Sequence, residues 1–296
     1  MLSVLIPIYN YNVVALVKAL HKQLIEANII FEIICLDDAS DVKYMNTNTE
    51  VEALSCTSFL KSSHNNGRTQ TRQSLCEASQ FEWLLFLDAD TIPVNTNYIL
   101  TYIKYINSDF EAIFGGFAYN NTPPENEFML RWKYGRSKEV VDASVRNRTP
   151  YKVIISANFL IKKSVFKSLN AQMQYSGYGL DNYFGALLKD KSIKVYHINN
   201  PVYHLGIENS NVYLQKKEAA ALMLLKLTKQ QKIKTHNNSL LALFTSLKHT
   251  KLNVIFSYIH SIFKVQMKRN LLGSNPNIKV LQLYRITFMC YIDFNS

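Results

Sequence analysis

Cysteine is scarce and unpatterned in this chain: Cys35, Cys56, Cys76 and Cys290 form no CxxC pair and no metal-finger spacing. That excludes a disulfide-stapled scaffold and a zinc site, and points to reduced thiols in a cytosolic protein. Long apolar runs are missing as well. A membrane-spanning helix needs roughly 18–20 apolar residues, and the nearest candidates, 252–263 and 281–292, are about 12 long with polar members. The opening MLSVLIPIYN has no basic leader, so it reads as a buried strand and not as a secretory signal. Internal repeats and low-complexity segments are absent. Acid is missing in one place: residues 205–296 hold 3 Asp+Glu against 13 Lys+Arg, whereas residues 1–204 hold 19 against 20.

What is present is a globular composition. At 48% hydrophobic and 19% charged, the 296 residues can bury a sizeable core, which excludes a disordered or collagen-like chain. The charge split predicts a near-neutral globular part followed by a strongly basic one.

Short apolar runs alternate with amphipathic stretches in the first third. Residues 3–8 (SVLIPI), 31–36 (FEIICL) and 83–87 (WLLFL) read as strands, with helical pattern over 13–27 and 69–79. This alternation predicts an α/β fold with right-handed crossovers and a mostly parallel sheet covered on both faces. A second apolar stretch, 153–161, leads to a glycine-punctuated loop at 175–179 and a helix over 181–189, and 202–205 closes this half. Helical pattern follows over 212–234 and 239–270, and Asn275-Pro276-Asn277 separates these from a last amphipathic piece.

The acids of the first half sit where strands end. Asp88 and Asp90 follow WLLFL and flank one alanine, so two hard oxygen donors can turn toward one point and suit Mg²⁺ or Mn²⁺. Asp37-Asp38 ends the second strand at the same sheet edge, where a carboxylate can accept hydrogen bonds from a ribose or a base, or cap a turn. Asn65-Asn66-Gly67-Arg68 precedes a helix carrying Arg72, and two arginines one turn apart can face a diphosphate.

SVLIPIYN, LDDAS, NNGRTQTR and FLDAD, in that order over 90 residues, resemble the nucleotide-binding half of the family 2 glycosyltransferases, a large inverting family with a GT-A fold. VIISANFLIKKSVF, GYGLDNYFGALL and NNPVYHLG extend the likeness over residues 2–206. The resemblance implies a GT-A domain over 1–206 and leaves 207–296 as a basic, mainly helical C-terminal region. It implies that Pro7, Tyr9 and Asp38 line a nucleoside pocket, most often for a UDP-sugar, with Arg68 and Arg72 near the donor. Asp88 would contact ribose or metal, Asp90 would ligate a Mn²⁺ or Mg²⁺ cofactor, and His204 would serve the metal or the diphosphate.

The family usually offers Glu-Asp after a glycine-rich loop, and this chain has Gly177-Tyr178-Gly179-Leu180-Asp181-Asn182, one acid short. With a one-residue deletion Asp181 is the base; without one, Asn182 takes that position. The first alignment keeps Tyr183-Phe184-Gly185 in register with the following helix, and Asp181 is the only acid between Asp142 and Asp190. The implied function is transfer of a sugar from a nucleotide-diphosphate donor to a glycan or lipid-linked acceptor in surface polysaccharide synthesis. The shortened acidic motif leaves a catalytically inactive sugar-nucleotide binder as the alternative.

The basic third mixes lysines with Leu, Ile, Phe and Tyr, and Lys264, Lys268 and Arg269 follow the run LNVIFSYIHSIF. Such a helix can lie on an anionic membrane surface, which would place the enzyme on the cytoplasmic inner face of the plasma membrane, or it can pack as a helical cap. Nucleic acid is the rival partner for positive charge, but no recognisable nucleic-acid module is present, so none is expected to bind.

Overall fold

A computed structural model describes residues 1–173, 175, 177–233 and 236–295. The chain forms two compact units. One comprises 1–118, 141–176 and 191–206, and the other 119–140, 177–190 and 207–296. The second unit thus takes two segments from within the first 206 residues.

The first unit is built on a seven-stranded sheet. Its strands are β1 (Leu2–Ile8), β2 (Phe31–Asp37), β3 (Thr57–Lys61), β4 (Trp83–Leu87), β6 (Ala112–Phe114), β8 (Asn158–Lys162) and β9 (Val195–His197). A smaller sheet holds β5 (Thr91–Pro93), β7 (Phe117–Ala118) and β10 (Val202–His204). The large sheet runs β3-β2-β1-β4-β8-β6-β9, with every pairing parallel except the two made by β8, and the small one runs β5-β10-β7.

The helices Val14–Glu26 and Arg68–Ala78 supply the expected crossovers. Because helices cover both faces, β1 is buried along nearly its whole length and reads as a continuous apolar run instead of an alternating one. Leu2, Val4, Leu5 and Ile6 are wholly buried, each such side chain contributing about 1.5–3 kcal/mol. Pro7 is tolerated near the end of β1 because the ladder to β4 stops at Leu5.

Two buried polar side chains tie the far half of this sheet together. Asn158 accepts the hydroxyls of Tyr98 and Tyr102 at 2.6 and 2.7 Å and donates to the carbonyls of Gly116 and Asn200, both at 2.9 Å. Arg146, 2% exposed, donates to the carbonyls of Val141, Phe114, Gly115 and Ile198 and to His197 Nδ1. Each pairs buried polar groups that would otherwise cost about 1–3 kcal/mol apiece.

The second unit is helical. Its core joins Leu130, Tyr213, Leu214, Met267, Leu271, Leu281 and Tyr284. The helices Asn253–Leu271 and Ile278–Phe294 pack along one another after the Asn275-Pro276-Asn277 break. The stretch expected to be helical over 239–270 is two helices, Ser239–His249 and Asn253–Leu271, because Lys251 adopts a left-handed conformation (φ 60°) that interrupts it. The helix expected over 212–234 is Ser210–Lys229, and Lys234 lies outside the described residues, as does Ser176 of the glycine-punctuated loop. Among the described residues no helix is long and apolar enough to cross a membrane.

Candidate active site

The loops after β1 and β2 are stitched together before any ligand is considered. Asn10 donates its backbone N–H to Ser40 Oγ at 2.8 Å, and Asp41 returns a backbone N–H to Asn10 Oδ1 at 2.8 Å. The wholly buried Asp37 accepts the Ser40 N–H on Oδ1 at 2.8 Å. Tyr9 stands 55% exposed at this edge, beside the half-buried Pro7.

Asp38 points across to the loop before the next helix. Its Oδ1 accepts the backbone and side-chain N–H groups of Asn66 at 2.9 and 3.2 Å, and Oδ2 accepts the Gly67 N–H at 2.9 Å. Gly67 has φ 78°, a left-handed conformation that a residue with a Cβ adopts only at a cost, and it sits immediately before Arg68. The acid at the end of β2 therefore sets where the helix Arg68–Ala78 begins.

That helix aims two arginines at the end of β4. Arg68 Nη2 donates to Asp88 Oδ2 at 2.9 Å, and Arg72 Nη2 donates to Asp88 Oδ1 at 2.5 Å. Both also reach Ser156, Arg68 at its hydroxyl (2.8 Å) and Arg72 at its carbonyl (2.6 Å). Arg72 is buried, while the Arg68 side chain is half exposed. Burial works to raise the Asp88 carboxyl, but Arg68 and Arg72 outweigh it and hold the group below the usual carboxylate range.

Asp90 has the opposite balance. The turn after β4 is closed by Thr91, which donates its N–H and hydroxyl to the Asp88 carbonyl. Antiparallel pairing of β5 with β10 then puts His204 opposite Thr91, so that His204 Nε2 lies 3.5 Å from Asp90 Oδ2. Two residues on, Gly206 passes so close that a Cβ there would lie 2.1 Å from Asp90 Oδ2. Burial first, then the charge of Asp88, raises the Asp90 carboxyl, with His204 acting against them. The phenol of Tyr11 is raised by burial and by the same Asp90 charge.

The donor chemistry fits a hard divalent cation held at an open position. A carboxylate oxygen and an imidazole nitrogen lie side by side, backed by a glycine that leaves them room. Among the described residues no three His, Cys, Asp or Glu side chains gather to enclose a metal. Each Asp88 oxygen accepts one arginine hydrogen bond, and Asp90 and His204 lie side by side as a second pair of donors.

Asp181 belongs to the second unit, in the first turn of the helix Leu180–Asp190. Its neighbour Asn182 is engaged on both sides of its amide: Nδ2 donates to the Gly179 carbonyl at 3.2 Å, and Oδ1 accepts from Asn238 Nδ2 at 2.7 Å.

Reasoning from the sequence named Asp38, Arg68, Arg72, Asp88, Asp90 and His204, and the structure places them in this unit as described. It passed over Ser156, which joins the two arginines, and Gly206, which makes room for Asp90. Gly206 stood inside the NNPVYHLG segment, two residues from the histidine, and its spacing was the available signal.

Solved structures share this architecture at low identity. The mannosyltransferase PcManGT from Pyrobaculum calidifontis, in complex with GDP-Man and Mn²⁺, is 11% identical with a TM-score of 0.54 over 77% of this chain. The chain spans 64% of the length of that enzyme. Glucosyl-3-phosphoglycerate synthase from Mycobacterium tuberculosis, with Mn²⁺, UDP and glucosyl-3-phosphoglycerate, is 12% identical with a TM-score of 0.52 over 80% of this chain and 81% of its own. S. aureus TarS 1-349 in complex with UDP-GlcNAc is 14% identical with a TM-score of 0.52 over 99% of this chain and 91% of its own. These likenesses show the GT-A fold. No curated protein matches the chain. The sequence profile described as Glycosyl transferase family 2 matches residues 3–169, more than half of the 296 residues, and the chain belongs to that family.

Proposed function

We propose that this chain is an inverting glycosyltransferase that moves a sugar from a nucleotide-diphosphate donor, a UDP-sugar in the first instance, to a glycan or lipid-linked acceptor. The observation that carries the reading is the Asp90–His204 pair, 3.5 Å apart beside Gly206, at the same sheet edge as the arginine-gripped Asp88. Asp90 and His204 would hold a Mn²⁺ or Mg²⁺ ion, which supplies positive charge against the departing diphosphate. The half-exposed Arg68 guanidinium adds fixed charge at that rim. Pro7, Tyr9 and Asp38 line the nucleoside side. Asp38 Oδ2 has one recorded hydrogen bond and retains capacity to accept another.

Asp181 takes the proton of the acceptor hydroxyl while that oxygen attacks the anomeric carbon and the bond to the diphosphate breaks. Asn182 supports this assignment by default, since its amide is committed to Gly179 and Asn238 and it carries no basic group. The test is donor turnover. A panel of UDP- and GDP-sugars is incubated with the full chain and Mn²⁺, and slow metal-dependent release of the nucleoside diphosphate without acceptor is expected for at least one. Asp90→Asn is expected to lose that release, and Asp181→Asn to keep nucleotide binding and lose transfer. No release from any donor would leave a binding protein.

The acceptor side is read as a membrane surface. In the helix Asn253–Leu271, Ile255, Tyr258, Ile262 and Val265 recur at three- and four-residue spacing and are each more than half exposed, with Lys264 and Arg269 alongside. Replacing Ile255 and Ile262 by Asp is expected to release the protein from vesicles containing anionic lipid, and unchanged sedimentation would count against the membrane role.

A further inference from the structure

The second unit contains a group of cationic and phenolic side chains that the transfer step does not use. Arg131, 7% exposed, pairs with Glu139 at 3.0 Å, and the Tyr119 hydroxyl bonds the same carboxylate oxygen. The Arg131 guanidinium also lies over the ring of Tyr213, 5.1 Å from its centroid. Lys217, from the same helix as Tyr213, sits 4.4 Å over the Tyr134 ring and 4.7 Å over the Tyr213 ring. Arg285, from the helix Ile278–Phe294, stands beside Tyr134 and donates Nη1 to Gln282 at 3.1 Å.

Charge and hydrogen bonding are both out of balance here. Arg131 pairs with Glu139, whose charge also reaches Lys217; Arg285 acts on Lys217 as a like charge, and Asp181 is another acid whose charge reaches it. Burial, then Arg285, pushes the Lys217 ammonium down to about 7, against the pull of Glu139. The Tyr213 hydroxyl is buried and has no hydrogen-bond partner among the described residues, although Tyr213 is only 5% exposed. Arg285 Nε is buried and unpartnered in the same sense. An ammonium and a guanidinium N–H can only donate, and a phenol held well above its usual range keeps its proton and donates too. Arg285 Nε and the Tyr213 hydroxyl are donors left without an acceptor, and with the Lys217 ammonium they suit an oxyanion with several oxygens to offer.

We propose that Lys217, Arg285 and Tyr213 bind a phosphate group carried by the acceptor. The assignment rests on the glycosyltransferase reading for its biological sense. Asp181, the proposed base, is among the charges that act on Lys217.

The experiment follows Lys217 directly in the full chain. Limiting acetic anhydride at pH 7.5, with peptide mapping, gives the acetylation rate of Lys217 against Lys22, an exposed lysine away from the basic helices, in the same sample. Two probes distinguish the source of the phosphate: inorganic phosphate, and vesicles of phosphatidate in phosphatidylcholine. Either probe is expected to slow Lys217 by about threefold to twenty-fivefold, the effect at pH 7.5 of raising its pKa from about 7 to between about 8 and 9, and to leave Lys22 unchanged. Protection by inorganic phosphate marks a soluble phosphorylated acceptor, and protection by the vesicles alone marks a lipid phosphate. Arg285→Gln is expected to reduce the protection. Unchanged Lys217 rates with both probes overturn the site, as does full protection in the Arg285 variant. Neither probe contains a sugar nucleotide. A failed donor panel would therefore sink the transferase reading and leave this result standing, whereas absent protection with a working panel sinks this site alone.

Discussion

Asp38 Oδ2 accepts the Gly67 N–H at 2.9 Å, so the acid that follows β2 decides where Arg68 and its helix begin. A residue expected to serve a nucleoside is thus also a structural anchor for the arginines that grip Asp88. Asp38→Ala removes three recorded hydrogen bonds from the 66–67 loop. It is expected to cost about 1–3 kcal/mol of stability and to weaken nucleotide binding with it. Chemical denaturation and nucleotide titration on one preparation check both; intact affinity with lowered stability would limit Asp38 to the anchoring role.

Arg72 is the buried half of the pair on Asp88. Arg72→Met leaves a partly buried carboxylate answered by the half-exposed Arg68 and, more weakly, by His204, and should cost about 2–3 kcal/mol in denaturant unfolding. Adding Asp88→Asn to that variant removes the stranded charge and is expected to recover part of the loss. Strict additivity of the two changes would mean that the pair is not coupled.

Gly206→Ala tests the space behind Asp90. The new Cβ would occupy the place of Asp90 Oδ2, so the carboxylate must swing away from His204. Mn²⁺-dependent nucleotide binding is expected to weaken about tenfold or more, equivalent to about 1.4 kcal/mol, with a smaller change in melting temperature. Equal Mn²⁺ dependence in the variant would remove Asp90 from the metal site.

Acid sensitivity should trace in part to His197. Burial, and secondarily the charge of Arg146, pushes its imidazole down to about 4. Above pH 6.5 the ring is neutral in folded and unfolded chains alike. Below that, the unfolded chain takes up a proton that the folded one refuses, so stability falls as pH drops from 6.5 toward 4. The loss is about 2 kcal/mol by pH 5. Denaturation of the wild type and of His197→Gln at pH 7.5 and pH 5 checks this, and the variant should show the smaller difference between the two.

The strands that carry the acids were legible because each is buried on both faces: the residues of β1, β2 and β4 are apolar almost throughout. β3 was not, since among its residues Thr57–Lys61 only Phe59 is buried and an edge strand with exposed neighbours carries little pattern. The break at 250–252 also left no mark, because it uses Lys251 in a left-handed conformation where glycine or proline would have announced it. The gathering of 119–140 and 177–190 with the last third depends on contacts distant in sequence, which local pattern cannot express.

At the site, residue types were readable and partnerships were not. Arg68 and Arg72 were read as facing a diphosphate, and both reach Asp88, a pairing that depends on how far the helix Arg68–Ala78 is drawn toward β4. The pairing of Asp90 with His204 crosses more than a hundred residues and arises from one antiparallel register, β5 against β10.

The acids of the last third are already spoken for: Glu208 holds Lys216, Glu218 holds Lys268, and Asp293 holds both Lys229 and Lys248. Compensation for the surplus lysines and arginines there comes from outside the segment, from acids such as Glu139 and Asp181 at Lys217 and from counterions drawn from the buffer. Ionic strength is accordingly a variable to fix before any two preparations of this protein are compared.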